Sequence, residues 1–367
     1  MFDTLISGFS WKNITAKINS CTENDVKQAL SSRLKKEQTF IALLSPAAKK
    51  FLPEMSQQSS LLTCRYFGKT IQLYAPLYIS NECEGGCTYC GFSAGRDYKK
   101  ITLTIEEAVH EARIIRESGI DSILLLTGDS PQKVPFDFIK KIVSAMHEIF
   151  SSVSIEMYPM SEEQYRQLLN AGCDGLTIYQ ETYNKEIYVS VHRFGRKKDY
   201  TARLTVPESA ARAGMRRINI GALLGLADYR TEIFFLFMHH AFLEKKFWQT
   251  SFSVSFPRLQ PLIVSPELRP APDSFLLQAV CAFRLMFPES GITISTRESA
   301  EIRDILVKIG VTRISAGSKT SPGAYALGID AGSQFSVRDE RSVSEVVKNL
   351  TALGYDPINK DWDKSFT

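Results

Sequence analysis

From residue 71 onward, short apolar runs alternate with stretches in which apolar residues recur at helical spacing. That alternation predicts a parallel sheet covered by helices. The runs in order are strand Leu73–Ser80, helix Ile105–Ser118 closed by Gly119, strand Ser122–Leu126, helix Phe136–Phe150 and strand Val153–Tyr158. Helix Glu162–Asn170, strand Gly175–Tyr179, helix Val206–Ala213, strand Arg217–Leu223, helix Phe234–Phe247 and strand Phe252–Phe256 follow. Helix Ser274–Phe287, strand Gly291–Arg297, helix Glu301–Ile309 and strand Val311–Ala316 complete the series. Eight such units are the count of a closed (β/α)8 TIM-type barrel. Residues 1–70 read as a helical extension. Thr22-Glu23-Asn24-Asp25 caps one helix with Val26, Ala29 and Leu30 as its stripe, and two more helices run through Thr39–Leu44 and Met55–Tyr66. The domain plan is therefore an extension over 1–70, a barrel over 71–320 and a segment over 321–367. That last segment has little pattern apart from Arg341–Leu353 and is expected to lie on a barrel face as a lid or brace.

In such a barrel, chemistry sits where the strands end. Those ends carry Thr127-Gly128-Asp129, Glu156, Gln180-Glu181-Thr182-Tyr183, Pro257-Arg258, Ser295-Thr296-Arg297 and Ser315 to Ser318. One such cluster would be a solvated turn; polar groups at every exit suggest a site.

Composition changes this picture little. The 367 residues are 44% hydrophobic and 23% charged, as in ordinary globular proteins, and a net charge of +4 gives no footprint for nucleic acid. The densest basic run, Arg193 to Lys198, reads as a solvated loop, with cofactor binding or an acidic partner as the alternatives. The longest apolar run, Ile233 to Met238, is far too short to cross a bilayer, and no secretory signal opens the chain. Seven cysteines, an odd number, fit a reducing cytoplasmic setting better than a disulfide framework. Cys21, Cys64, Cys173 and Cys281 read as buried thiols.

The other three cysteines stand in Cys83-Glu84-Gly85-Gly86-Cys87-Thr88-Tyr89-Cys90, directly after the first strand. With gaps of three and two residues, one loop can wrap three thiolates around an iron–sulfur cube, and the glycines relieve the tight turn. Three ligands leave one iron open for another molecule. The alternatives are a zinc knuckle completed by a histidine, or thiols clustered by chance. The next histidine is His110, which is not at ligand spacing.

CxxxCxxC with an aromatic residue, here Tyr89, before the last cysteine resembles the signature of radical S-adenosylmethionine (SAM) enzymes. The context Pro76–Asn81 and Gly91-Phe92 is similar to the aromatic amino-acid lyases among them. Two further segments, Ser295-Thr296-Arg297-Glu298-Ser299 and Ser315 to Gly323, resemble paired segments of the tyrosine lyases of 2-iminoacetate synthase type. A weaker echo appears at Lys360-Asp361-Trp362-Asp363.

The resemblance implies a [4Fe–4S] cluster on Cys83, Cys87 and Cys90, with SAM chelated at the open iron. SAM needs acids and an arginine around it. Asp129 is placed for the ammonium, in a turn where related enzymes more usually carry Glu, while Glu156 and Glu181 suit the ribose or ammonium. Arg203 matches the family arginine for the SAM carboxylate. Arg297 corresponds to the anchor of the substrate carboxylate, with Ser315 as a second contact, and Glu181 lies in the segment expected to touch the substrate's amine or phenol. The alternatives are surface salt bridges for the acids and Arg203, and a core pair with Glu298 for Arg297. The reaction implied is abstraction of a hydrogen atom from the amino group of L-tyrosine by a 5′-deoxyadenosyl radical. Cα–Cβ cleavage then gives p-cresol and 2-iminoacetate for the thiamine thiazole. Thiazole synthase and a flavodoxin- or ferredoxin-type electron donor are the implied partners. The rivals are the hydrogenase-maturation tyrosine lyase, which uses a second cluster on later cysteines whereas none follows Cys281 here, a tryptophan lyase, and a non-catalytic metal protein.

Overall fold

The structure is a computed structural model that describes residues 1–32, 36–260 and 270–359; the Lys360–Asp363 echo lies outside them. Five helices come first: α1 (Phe2–Ile6), α2 (Trp11–Ser20), α3 (Glu23–Ser31), α4 (Glu37–Leu44) and α5 (Leu52–Phe67). Then follow β1 (Thr70–Tyr78), α6 (Ile105–Glu117), β2 (Ser122–Leu126), α7 (Phe136–His147), β3 (Ser152–Glu156), α8 (Glu162–Asn170) and β4 (Gly175–Glu181). Three helices, α9 (Lys185–Val191), α10 (Tyr200–Leu204) and α11 (Val206–Ala213), precede β5 (Arg217–Ala222), α12 (Tyr229–Lys246) and β6 (Ser251–Ser255). The remainder is α13 (Asp273–Met286), β7 (Gly291–Ile294), α14 (Ala300–Ile309), β8 (Arg313–Ser315), α15 (Val343–Ala352) and β9 (Asp356–Ile358).

Strands β1 to β8 pair in parallel in sequence order, and β1 closes the ring by pairing with both β8 and β2. The expected barrel is present, with all eight of its strands. β1 is apolar at nearly every position because helices cover its outer face and the barrel interior its inner one. Two features had no counterpart in the pattern. Helices α1 and α2 pack on α12; five residues are too few to show a helical period, and α2 buries only Ile14 and Ile18. β9 is three residues long and pairs Thr70–Gln72 of β1 below the stretch that pairs with β2.

The amino-terminal helices lie over α12, α13 and α14. The buried amide of Gln278 donates to the carbonyls of Leu43 (2.8 Å) and Ser45 (2.9 Å), satisfying the end of α4. After β8 the chain crosses the mouth of the barrel, where the carboxylate of Glu111 accepts the N–H groups of Tyr325, Ala326 and Leu327. The chain is pinned beyond that point by ion pairs of Asp339 with Arg303 and Arg341, and β9 then carries it to the opposite end. Residues 321–359 thus contact both ends of the barrel.

Glu232 on α12 secures the exit of β4, accepting from the Thr182 hydroxyl (2.7 Å) and the Tyr183 N–H. Burial pushes its carboxyl up to about 8, from an ordinary value of 4.5. Between those values the folded state holds a proton that the unfolded chain has released, so stability is greatest at low pH and falls as pH rises through the window. Glu232→Gln keeps an acceptor but has no proton to lose. Its melting temperature should drop less than that of the unaltered protein between about pH 5 and about pH 8, by roughly 2–4 °C. Equal drops in thermal scans would show that Glu232 is not the titrating group.

A candidate active site at the mouth of the barrel

The strand β1 ends in an excursion clasped at its base. Asn81 N–H donates to Ile101 O and Leu103 N–H to Ile79 O, and the Asn81 side chain bonds Lys99 O, Ala331 O and Ile101 N–H. Within it, the cysteine loop has no regular structure, so its backbone groups are satisfied from elsewhere. Glu84 N–H meets Asp129 O, Gly86 N–H meets Phe194 O, Thr88 N–H meets Val191 O and Gly91 N–H meets Gln334 O, all at 3.0–3.1 Å. Several positions around it require glycine, Gly91 and Gly195 among them. A side chain at Gly91 would stand 2.1 Å from Ser333 O, and one at Gly195 (φ +87°) would stand 2.8 Å from Gly85 Cα.

Cys83, Cys87 and Cys90 all line one cavity of about 1330 Å³, open mouth included. Burial pushes the Cys90 thiol up to about 12, with Cys87 adding to it. Backbone N–H groups of Gly85 and Phe92 point at the sulfurs of Cys83 and Cys90, each at 3.4 Å. Among the described residues no three His, Cys, Asp or Glu side chains form a single-ion site. A cube takes one thiolate at each of three irons, which three cysteines lining one cavity can supply.

The other sequence-selected residues reach the same cavity: Tyr89, Asp129, Glu156, Glu181, Arg203, Arg297 and Ser315 all line it. Both carboxylate oxygens of Asp129 and the hydroxyls of Thr127 and Ser318 are buried without a hydrogen-bond partner among the described residues. Burial lifts the Asp129 carboxyl above its usual range, against the pull of Arg203 and Lys197. Glu156 is pushed up to about 7, first by burial and then by Glu181. Glu181 sits in a β-bulge and has the one positive φ (+70°) of a non-glycine residue among those described. Burial works to raise its carboxyl, but Lys197 (2.6 Å) and Arg203 (3.7 Å) outweigh burial and hold it below the ordinary range. Arg203 also donates through Nε to Tyr179 O at 2.6 Å, which fixes its fork. Tyr89 meets His192 Nε2 at 2.7 Å, and burial drives that imidazole down to about 3, so it is neutral.

At the far wall, the Arg297 guanidinium lies 3.8 Å over the Phe335 ring. Glu298 is not its partner: Arg258 takes that carboxylate through Nε at 3.0 and 3.1 Å and also binds Asp273. Arg258 is therefore a clamp, not a free strand-end group. Ser315 Oγ accepts from the Thr296 N–H at 3.1 Å and so partly serves its own backbone.

Two expectations need correction. The basic run is not wholly a solvated loop, because Lys197 alone turns inward and its ammonium lies over Tyr89 at 5.6 Å. A single inward residue in a run of cations leaves no periodic signal. Cys64 is exposed on α5 and Cys21 is half-buried, so only Cys173 and Cys281 of that set are buried thiols. Gln334, whose Oε1 accepts from the Tyr78 hydroxyl (2.6 Å), and Phe335 line the pocket and come from a segment without pattern.

Comparison with known proteins agrees with this site. Residues 77–233 match the model of the radical SAM superfamily, and residues 255–356 match the Biotin and Thiamin Synthesis associated domain. The 2-iminoacetate synthase of Escherichia coli K12 is 40% identical over 355 residues, spanning 96% of this chain and 94% of the relative. The chain belongs to the 2-iminoacetate synthase family. The Salmonella typhimurium member shows the same identity and coverage. Among solved structures, the FeFe-hydrogenase maturase HydG from Carboxydothermus hydrogenoformans superposes with a TM-score of 0.89 at 31% identity. That match covers 98% of this chain and 86% of HydG. Radical SAM enzymes use a [4Fe–4S] cluster and SAM, and the residues present suit both. Three cysteines line the cavity with N–H groups aimed at two of the sulfurs, and the unpartnered Asp129 carboxylate suits an ammonium.

Gly195→Ala should leave the fold in place while spoiling the cysteine loop, because its backbone neighbours cannot yield and the conformation itself costs ~1–3 kcal/mol. After anaerobic reconstitution, iron should fall to less than half of the about four per chain expected of the unaltered protein. Full loading would show that the loop tolerates displacement.

Proposed function

We propose that this protein cleaves the Cα–Cβ bond of L-tyrosine, giving 2-iminoacetate and p-cresol, while SAM yields methionine and 5′-deoxyadenosine. One hydrogen of tyrosine leaves on 5′-deoxyadenosine, so p-cresol is completed by one electron and one proton taken up by the cleaved side chain. With the electron that cleaves SAM, the electron donor supplies two electrons per turnover. The observation that carries this reading is one cavity joining three cysteines to a stacked, forked cation, in a chain 40% identical to 2-iminoacetate synthase over nearly its whole length.

Cys83, Cys87 and Cys90 hold the cluster in this reading, and cluster and SAM together supply the radical chemistry. The protein supplies position and shelter. Asp129 accepts the SAM ammonium, and Arg203, steadied by Tyr179 O, faces the SAM carboxylate. Glu181 and Glu156 are the acids for the ribose or ammonium. Lys197 keeps Glu181 ionised and so keeps that acceptor available. Arg297 takes the tyrosine carboxylate in its fork, and stacking on Phe335 restricts its swing. Ser315, and Ser318 with its unpartnered hydroxyl, stand beside it. Leu124, Leu126, Phe92 and Phe335 exclude water from the wall.

Among the described residues no helix is long and apolar enough to cross a membrane, and we place the protein in the cytoplasm. 2-Iminoacetate is an imine that water destroys, so direct delivery to thiazole synthase fits the chemistry, and a flavodoxin- or ferredoxin-type protein supplies the electron.

Anaerobic turnover with tyrosine, SAM and dithionite should yield p-cresol together with glyoxylate, the hydrolysis product of the imine. Carbon monoxide and cyanide in place of glyoxylate would assign the hydrogenase-maturation reaction instead, and no tyrosine product at all would overturn the reading. Alanine at Cys83, Cys87 or Cys90 should abolish SAM cleavage with circular dichroism unchanged; retained cleavage would remove the cluster from these residues. Arg297→Ala should weaken tyrosine binding by roughly 10–100-fold, the worth of a charge-assisted pair. SAM binding should change less than about threefold, and equal loss of both ligands would deny Arg297 its anchor role.

A further inference from the structure

Residues 191–195 form a layer of chain laid against the cysteine loop. Gly86 and Phe194 are joined by an N–H···O bond of 3.0 Å, Arg193 N–H returns to Gly86 O at 3.3 Å, and Cys87 bridges to His192. Gly195 lies so close to Gly85 that a Cβ would come within 2.8 Å of the Gly85 Cα. On the other side of that layer is solvent. Arg193, Arg196 and Lys198 are exposed, and Phe194, which packs an edge on Gly86, is 49% exposed. Lys197 from the same run is spent inward on Glu181, but no ion pair engages its three cationic neighbours among the described residues. Arg196 also acts on the Asp129 carboxyl, while Glu84 accepts from the Ser130 hydroxyl and Asp199 from the Ala202 N–H.

A metal cluster exchanges electrons fastest over a short path to the surface, and the stretch that directly backs the cysteine loop carries three exposed cations around a half-exposed aromatic ring. Cations at a rim steer an oppositely charged partner, and an aromatic ring gives it an apolar footing. We propose that the face formed by Arg193, Phe194, Arg196 and Lys198 is the docking surface for an acidic one-electron carrier protein. In the transfer one electron leaves the carrier's reduced flavin or iron–sulfur group and enters the [4Fe–4S] cluster. The carrier is oxidised by one, the cluster is reduced by one, and no bond forms or breaks. This rests on the cluster assignment above, which dithionite tests independently because a small reductant needs no docking surface.

The experiment compares the reconstituted protein with its Arg193→Glu/Lys198→Glu variant, neither residue lining the cavity. Binding of an oxidised, negatively charged flavodoxin is measured by titration calorimetry at about 20 mM and about 200 mM salt. Dithionite-driven SAM cleavage is followed in parallel. The proposal expects the affinity of the unaltered protein to fall roughly tenfold or more across that salt range. It expects the variant to bind about tenfold more weakly still at low salt, with dithionite-driven cleavage within about twofold of the unaltered protein. Equal binding by the two proteins, or binding indifferent to salt, would overturn it. So would a variant that loses dithionite-driven cleavage along with binding, since the change would then be damage to the loop beneath. If the unaltered protein bound the carrier but cleaved no SAM with dithionite, the proposed function would fall and the docking surface would stand on the binding result alone.

Discussion

The arrangement depends on backbone hydrogen bonds reaching a loop that makes few of its own. Eight residues carry the three cysteines, and N–H groups of these and of Gly91 just after them find acceptors in the turn after β2, the end of α9, the loop after it and the segment crossing the mouth. An unpaired buried N–H costs about as much as a lost hydrogen bond, so each of those four segments is held as firmly as it holds. The sulfurs are positioned by the whole mouth, although they lie within one short stretch of sequence. This also explains why glycine recurs at the contacts: where backbone must touch backbone, a Cβ has no room.

Electrostatics follow from the same enclosure. Three carboxylates face one cavity, and burial opposes the charge on all of them. Only Glu181 has cations close enough to bring its carboxyl below the ordinary range, and it holds a positive-φ backbone conformation there. Asp129 is left with no hydrogen-bonding partner, the condition of an acceptor awaiting a positively charged ligand. Arg297, stacked rather than ion-paired, is the corresponding cation at the opposite wall.

Much of this was legible in the chain. The barrel could be read because each strand is a short apolar run and each helix shows its own period, and Glu162–Asn170 and Val206–Ala213 end at the residues their caps and glycines suggest. The cysteines, Asp129, Glu156 and Arg297 could be read because barrel chemistry collects at strand exits. What escaped has physical reasons too. Lys197 differs from its neighbours only in the direction its side chain takes, which a 3₁₀ turn over 196–198 decides. The use of Glu298 by Arg258, not by Arg297, is a tertiary choice between two nearby cations. Gln334 and Phe335 belong to a crossing whose path is set by distant partners such as Glu111 and Asp339 rather than by local propensity.

The short strand β9 pairs with residues near 70 by means of residues near 356, almost the full span of the described chain. Contacts so far apart in sequence form late, since the loop they close must first be drawn together. The crossing that supplies Gln334 and Phe335 is strung between the mouth and this strand, so the cavity wall can be completed only after nearly all of the polypeptide has left the ribosome. A partly synthesised chain can already hold the cysteine loop through Asp129, Val191 and Phe194, and lacks only the bond from Gly91 to Gln334 that the crossing provides.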